Sequence, residues 1–277
     1  MTNVSNESVE NGASSKSSNV FAALTIVICI AIGILIWKFV MGHPSNFENN
    51  DPEGHPLPGN YLGMVYKGGF IVPVLMGLLL MALVFSIERF LVIGKAAGKA
   101  NVEKFVKSVQ TLVAQGKVDE AIAACDAQEG SVANVVRAGL TKYQEVKKEG
   151  FDSEKATETI QKEIEEATSL EMPMLEKHMT ILSTLVSLGT LAGLLGTVTG
   201  MIKAFGALAS AGTPDQAALA NGISEALINT ATGISTSALA IVTYNLFTSK
   251  IDTLTYSIDE AGNTIVNTYR HFRSTKK

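Results

Sequence analysis

A single carboxylate lies within a long uncharged stretch near the C-terminus. Glu225 is the only charged residue between positions 216 and 249. An acidic side chain at the centre of a membrane helix disfavours insertion by roughly 2.5 to 3.5 kcal/mol, and such residues face protein or water and often mark ion pathways. Burial favours the protonated form of a carboxylic acid, so such a group can exchange protons. We predict a proton pathway through Glu225; a structural ion pair with Lys203 is the alternative.

Polar side chains follow Glu225 at helical spacing. At about 100° per residue, Asn229, Thr232, Thr236 and Thr243 fall within roughly 40° of Glu225 around the helix axis. Several copies of this helix in a ring would turn the stripe into a pore, so we predict that Asn229, Thr232 and Thr236 line it. For each threonine alone, a hydrogen bond to a carbonyl of its own helix is the simpler interpretation.

Glycines recur on the preceding apolar segment. Gly189, Gly193, Gly196 and Gly200 are spaced by four, three and four residues and therefore share one helix face. Small residues at such spacing let helix backbones approach closely in membranes. We predict that these four glycines pack against another helix, although generic membrane packing alone explains the pattern.

The composition indicates a membrane protein. Hydrophobic residues make up 47% of the 277 residues and charged residues 17%, and the apolar residues form four blocks long enough to cross a bilayer. The first block could be a secretory signal, but its leader has Lys16 as the only basic residue, which favours an uncleaved anchor.

Charge predicts the topology. Lysines and arginines follow the second and fourth blocks, whereas the loops at 42–67 and 207–215 hold only Lys67 between them, which places both loops outside and both termini in the cytoplasm. We predict an all-α fold, a polytopic helical membrane protein with long helices extending into a cytoplasmic helical domain and assembling as a ring. Its segments are a disordered tail 1–19, an extra transmembrane anchor 20–41, an irregular, proline-rich periplasmic loop 42–67, a transmembrane helix 68–93, a cytoplasmic helical domain 94–178, a transmembrane helix 179–208, a periplasmic turn and helix start 209–221, a transmembrane helix 222–249 and a cytoplasmic helix 250–277.

The cytoplasmic region has helical spacing and no enzyme signature. Strand alternation, a nucleotide-binding loop and a nucleophile motif are all lacking, so we do not predict an enzyme. Gly116, Gly130 and Gly150 are predicted helix boundaries. Pro173 is predicted to kink the approach to the third span, and Thr213 and Pro214 to cap the fourth.

An apolar stripe follows the fourth span. Its members recur at steps of three and four: Ile251, Leu254, Ile258, Ala261, Ile265, Tyr269 and Phe272. Packing within the subunit and a seam between neighbouring subunits are equally good interpretations.

No cofactor, metal or nucleic acid is predicted. His43, His55, His178 and His271 lack metal-ligand spacing. Cys29 and Cys125 are too few for a disulfide framework, and the net charge of -4 offers nucleic acid no basic surface.

Two membrane motifs carry a family resemblance. "GLLGTVTGMIKAF" (193–205) and "GISEALINTATGISTSALAIVTYN" (222–245) resemble the MotA/TolQ/ExbB proton channel family, most strongly its ExbB branch, and "EGSVANVVRAGL" (129–140) is similar more loosely. The resemblance implies that Glu225, Thr197 and Thr230 form the proton pathway. Thr230 lies about 140° from Glu225 on an ideal helix, so we expect it nearer a subunit contact.

The resemblance also implies partners. It implies a motor of the bacterial inner (cytoplasmic) membrane, driven by the proton-motive force, in which a homopentamer surrounds a dimer of an ExbD-like single-span protein and energises a TonB-like protein. The block at 20–41 departs from the usual three spans of ExbB and TolQ. A TolQ- or MotA-like motor, a sodium-driven motor and a non-conducting scaffold for a partner helix are the alternatives.

Overall fold

The computed structural model describes residues 22–52, 54–210 and 216–274, and the predicted tail 1–19 and the predicted cap at Thr213 and Pro214 lie outside these ranges. The described residues form helices and no strand, apart from one isolated bridge between Phe47 and Pro56. Four helices are long and apolar enough to cross a membrane: Ala22–Met41, Gly69–Ala96, Ser153–Ala209 and Ala218–Phe272. The predicted all-α, polytopic architecture is therefore confirmed.

The helices are numbered in chain order. They are α1 (Ala22–Met41), α2 (Tyr61–Tyr66), α3 (Val72–Ala96), α4 (Val102–Ala114), α5 (Val118–Gln128), α6 (Gly130–Glu149), α7 (Ser153–Glu176), α8 (Met179–Ser210) and α9 (Gln216–Ser274). A 3₁₀ turn, Gly69–Ile71, leads into α3. The chain divides into two compact units, one made of the residues up to Ser86 together with Thr180–Tyr244, the other of Ile87–Met179 together with Asn245–Lys277.

In the first unit, α1 packs closely against α3 through two glycines. A Cβ atom built at Gly33 would lie 2.7 Å from the carbonyl oxygen of Pro73, and one at Gly77 would lie 3.1 Å from the Cα atom of Ile30. Only glycine allows this approach without a shift of the backbone. Helix α1 is thus closely packed within the first unit.

The loop after α1 is more ordered than predicted. Asn46 is 7% exposed and donates hydrogen bonds from Nδ2 to the carbonyl oxygens of Val40 (2.8 Å) and Met41 (2.9 Å). Phe47 is 2% exposed, and α2 begins at a cap in which the Asn60 side chain accepts from the Gly63 N–H. Four prolines predict irregular backbone but do not reveal that one amide and one aromatic ring organise it.

In the second unit, α9 packs on helices of the same chain. Six members of its apolar stripe are at most 6% exposed, and Phe272 alone is 37% exposed. The ring of Tyr269 meets that of Tyr143 edge to face, with centroids 4.8 Å apart. Packing within the subunit therefore accounts for the stripe.

Helix boundaries in this unit follow the sequence with one exception. Gly116 and Gly130 lie at helix ends as predicted, and Gly150 ends α6 in the left-handed conformation. Pro173, however, lies inside α7, and the break comes at His178, whose φ is 62°. Arg89 donates from Nη1 to the carbonyl oxygens of Met174 (3.1 Å) and Leu175 (3.3 Å). These bonds satisfy carbonyls that the end of α7 leaves without helical partners.

Candidate proton-transfer site

Glu225 is buried and forms the ion pair with Lys203 that the sequence offers as the alternative interpretation. Its side chain is 9% exposed, and its Oε1 atom lies 2.6 Å from the Nζ atom of Lys203 on α8. The Lys203 side chain is 52% exposed. The carboxylate of Glu225 is thus buried within the first unit, while the side chain of Lys203 extends to the surface.

The turn before α3 closes one side of this ion pair. Gly69 has a φ of +80°, and a Cβ atom there would collide with Glu225 Oε1 and lie 3.4 Å from Lys203 Nζ. The ring centroid of Phe70 lies 5.9 Å from the same Nζ, a distance at which an aromatic face attracts a cation. Sequence reasoning missed both residues; the adjacent glycines at 68 and 69, at the start of an apolar block, were the available signal.

Asn229 lies one helical turn beyond Glu225 and is fully buried. Its Nδ2 atom donates to the carbonyl oxygen of Gly68 at 2.9 Å, which fixes the orientation of the amide. Its Oδ1 atom is buried without a hydrogen-bond partner among the described residues. The side chain fills the space that Gly196 leaves open, since a Cβ atom at Gly196 would lie 2.7 Å from Asn229 Cγ.

The threonines of the predicted stripe bond to their own helix. Thr232 donates to the Ile228 carbonyl oxygen and Thr236 to that of Thr232, each at 2.9 Å, and Thr243 donates to that of Leu239 at 2.8 Å. Thr236 is fully buried, as is Asn229, whereas Thr232 is half-buried. The pore-lining role of Asn229, Thr232 and Thr236 stays a prediction, and only Thr232 has side-chain surface to offer in the single chain.

Thr197 and Thr230 contact each other, away from the ion pair. Their hydroxyl oxygens lie within hydrogen-bonding distance. Each hydroxyl also reaches a carbonyl oxygen of its own helix, Gly193 at 3.1 Å and Ala226 at 3.2 Å. Since each hydroxyl has one proton, one carbonyl bond and the bond between the threonines can form together. The structure therefore brings Thr197 and Thr230 together, but does not bring Glu225 to them.

The glycine face of α8 contacts α9. Its members are Gly189, Gly193, Gly196 and Gly200. A Cβ atom at Gly200 would lie 2.8 Å from the Ala226 backbone nitrogen. Helix α9 meets this face with a glycine of its own, because a Cβ atom at Gly233 would lie 2.5 Å from the Gly189 carbonyl oxygen. The two helices are thus close enough to hold the Glu225–Lys203 and Thr197–Thr230 contacts.

This arrangement would let protonation of Glu225 change the position of the Lys203 side chain. A carboxylate that takes up a proton loses its charge and with it most of its attraction for an ammonium group. Because the Lys203 side chain is half exposed, it has room to leave when Glu225 is protonated. Within the described part of the chain, no three His, Cys, Asp or Glu side chains cluster as metal ligands.

The chain is similar to known membrane proteins. The sequence profile of the MotA/TolQ/ExbB proton channel family matches residues 127–260. The Tol-Pal system protein TolQ of Pseudomonas aeruginosa is 32% identical over 127 residues, 46% of this chain and 55% of TolQ. The ExbB-like 3 biopolymer transport protein of Synechocystis sp. is 31% identical over 111 residues, 39% of this chain and 53% of that protein.

A third relative matches a shorter region. The biopolymer transport protein ExbB of Pseudomonas putida is 39% identical over 71 residues, 26% of this chain and 22% of ExbB. The chain spans about half the length of the TolQ and ExbB-like relatives that it matches. The family match contains Thr197, Lys203, Glu225 and Thr230, while Gly69 and Phe70 lie before it.

Proposed function

This chain belongs to the MotA/TolQ/ExbB proton channel family, and on that premise we propose that it is the ExbB-type subunit of an inner-membrane motor that conducts protons and energises TonB-dependent transport across the outer membrane. Its product is movement of a partner, and no bond chemistry is assigned to it. The single observation that carries the proposal is the buried Glu225 carboxylate held by a half-exposed lysine.

The Glu225–Lys203 pair supplies the step that links proton entry to motion. A proton that reaches Glu225 neutralises it and frees Lys203, and loss of the proton restores the pair. Moving one elementary charge across the membrane potential releases about 2.3 kcal/mol per 100 mV. Energy of this size biases a conformational equilibrium by more than tenfold.

The partners follow from the family. We propose a homopentamer around two helices of an ExbD-like single-span protein, whose membrane carboxylate exchanges protons with the ring, and a TonB-like protein that receives the work. The names of the ExbB and ExbB-like relatives, which are biopolymer transport proteins, support this choice. Thr197 and Thr230 form a hydroxyl relay at the α8–α9 contact.

The test compares two identical substitutions on one helix. Glu225→Gln removes the titratable group, while Glu260→Gln makes the same change at an exposed position of α9, where the amide oxygen can still accept from Gln110. In a strain lacking the native gene, we expect Glu225→Gln to abolish growth on a nutrient that requires TonB and Glu260→Gln to support it. Normal growth with Glu225→Gln would refute the proton role.

A TolQ-type role is the second candidate, favoured by the match to TolQ over 127 residues. A strain that lacks this chain yet takes up TonB-dependent nutrients normally would support it, as would tol genes beside the coding sequence. A non-conducting scaffold predicts the reverse mutational pattern. In that case Glu225→Gln preserves function, while a bulky residue at Gly193 or Gly196 destroys it.

A further inference from the structure

The ammonium group of Lys203 occupies the position that a metal cation would need beside Glu225. Its Nζ atom lies 2.6 Å from the Oε1 atom of Glu225. Glu225 carries the only carboxylate between positions 216 and 249. A sodium ion that binds this carboxylate from the same side must displace the ammonium group. A proton can bind without first displacing the ammonium group, because it bonds to a single oxygen and removes the charge that attracts the lysine.

The ammonium group is held by more than the carboxylate. The ring centroid of Phe70 lies 5.9 Å from Nζ, and Gly69 leaves room for the carboxylate beside the ammonium group, because a Cβ atom there would collide with Glu225 Oε1. Lys203 is covalently tethered, so its local concentration beside Glu225 does not fall when the sodium concentration changes. Sodium therefore competes with a cation that is always present.

One neighbouring oxygen shows what a metal ion would gain without the lysine. Asn229 follows Glu225 by four residues, so the two side chains are neighbours on one face of α9. Its Oδ1 atom is buried without a hydrogen-bond partner among the described residues, because Nδ2 is the atom bonded to Gly68. A carboxylate together with a vacant amide oxygen is the type of oxygen pair that hard cations prefer.

From these contacts we infer that Lys203 determines ion specificity: its tethered ammonium group excludes sodium from Glu225 and Asn229 and leaves the proton as the ion that the site accepts. This inference rests on the proposed function, since it names the ion used at the same site. Lys203 acts here through Glu225 and is a specificity-determining residue, not a carrier of the proton.

Sodium binding to the purified full-length chain tests the inference without a partner. The melting temperature is measured in sodium chloride and in choline chloride at equal ionic strength, because an ion that binds only the folded state raises Tm. For the native chain and for Lys203→Arg, which keeps the cation, we expect each protein to have the same Tm in the two salts. For Lys203→Met we expect a sodium-specific rise of about 2 °C or more, which the additional change Glu225→Gln abolishes.

Two further measurements cover a variant that fails to fold. The first uses Lys203→Gln, which removes the charge while keeping a polar side chain. The second needs no variant: the native strain is grown on a TonB-dependent nutrient with sodium replaced by potassium. We expect growth to be independent of sodium. Sodium stabilisation of the native chain through Glu225, a folded Lys203→Met protein indifferent to sodium, or growth that requires sodium would each overturn the inference.

The outcomes separate this inference from the proposed function. If Glu225→Gln abolishes growth but the sodium pattern is missing, the motor role stands and the role of Lys203 fails. If the sodium pattern is found but Glu225→Gln grows normally, the site excludes sodium as inferred and the proposed motor role fails.

Discussion

The hydroxyl groups of Thr197 on α8 and Thr230 on α9 share a hydrogen bond across the contact between the two helices. Neither residue contacts Glu225, which faces Lys203 and the turn before α3. The residues that the family resemblance assigns to one proton pathway therefore occupy two places in the single chain. A proton that uses both must pass between them through a movement or through water.

The threonine pair should behave as one energetic unit. Thr197→Val and Thr230→Val each remove one side of the bond, so we expect the double variant to lose less stability than the sum of the two single losses. Hydrogen bonds between membrane helices average about 0.6 kcal/mol in double-mutant cycles, with a maximum of about 1.7, and the coupling should lie in this range. Unfolding in detergent measures it. A cycle between Thr197 and Thr243, which bonds to its own helix, is the control, and equal coupling in both cycles would contradict the expectation.

A methyl group at Gly69 should disrupt the ion pair. Gly69 and Gly59 have nearly the same φ, +80° and +78°, but only at Gly69 would a Cβ atom meet Glu225. We expect Gly69→Ala to impair growth on a TonB-dependent nutrient almost as strongly as Glu225→Gln. Gly59→Ala carries the backbone cost alone, about 1 to 2 kcal/mol, and should retain growth. Equal growth of the two strains would show that the contact with Glu225 is not needed.

Overpacking at Gly196 should destabilise the first unit. The Cβ atom of Gly196→Ala would lie 2.7 Å from Asn229 Cγ, so the amide must move or its bond to Gly68 must lengthen. We expect a loss of about 1 to 3 kcal/mol in the free energy of unfolding, the usual cost of overpacking. At Gly94 of α3 a built Cβ atom has no neighbour within 4 Å. Gly94→Ala should therefore be neutral or slightly stabilising, and similar losses for both variants would refute the packing argument.

The thiol of Cys125 should make the second unit sensitive to high pH. Burial, followed by the nearby charge of Asp126, raises the pKa of Cys125 to about 12 from its ordinary value of 9.0. Between these pH values the unfolded chain releases the thiol proton and the folded chain keeps it, so stability is complete below about pH 9 and falls as pH rises towards 12.

Cys125→Ala tests this pH dependence. We expect the variant to show a shallower fall in Tm above pH 9 than the native chain. Native Cys125 should also resist alkylation at neutral pH and react once the chain is unfolded, since the thiolate is the reactive form. An unchanged slope of Tm against pH, or rapid alkylation of the folded chain, would contradict the burial argument.

Local patterns predicted the helices and half of the site. The spacing of Gly193 and Gly196 identifies a packed face, and the isolation of Glu225 in an uncharged stretch indicates a buried acid that needs a partner, because both are properties of one segment. The closing side of the site is not local. The pairing of Lys203 with Glu225 is one of the two interpretations that the sequence allows, but Gly69 lies more than a hundred residues from both, and nothing in the sequence around Gly69 indicates that it meets Glu225.

Two structural findings differ from what the local residues predict. The sequence predicts a kink at Pro173, yet α7 continues past it to Glu176. Near that end, Arg89 from a distant segment donates hydrogen bonds to the carbonyl oxygens of Met174 and Leu175. The prolines of the loop after α1 predict irregular backbone, yet the buried Asn46 and Phe47 organise it. At Pro173 a contact with a residue far along the chain outweighs the local preference, whereas in the loop the bonds from Asn46 to Val40 and Met41 and the contact of Phe47 with Tyr66 do so.

The junction between α1 and α2 carries an optical reporter of its own. Trp37 is the sole tryptophan of the chain, and its indole ring stacks on Tyr66 with centroids 4.8 Å apart while its N–H donates to the Tyr66 carbonyl oxygen at 3.3 Å. Indole emission responds to the polarity of its surroundings and to nearby hydrogen bonds. Tryptophan fluorescence, excited selectively over the six tyrosines, therefore records whether the N-terminal helix is seated, without any label.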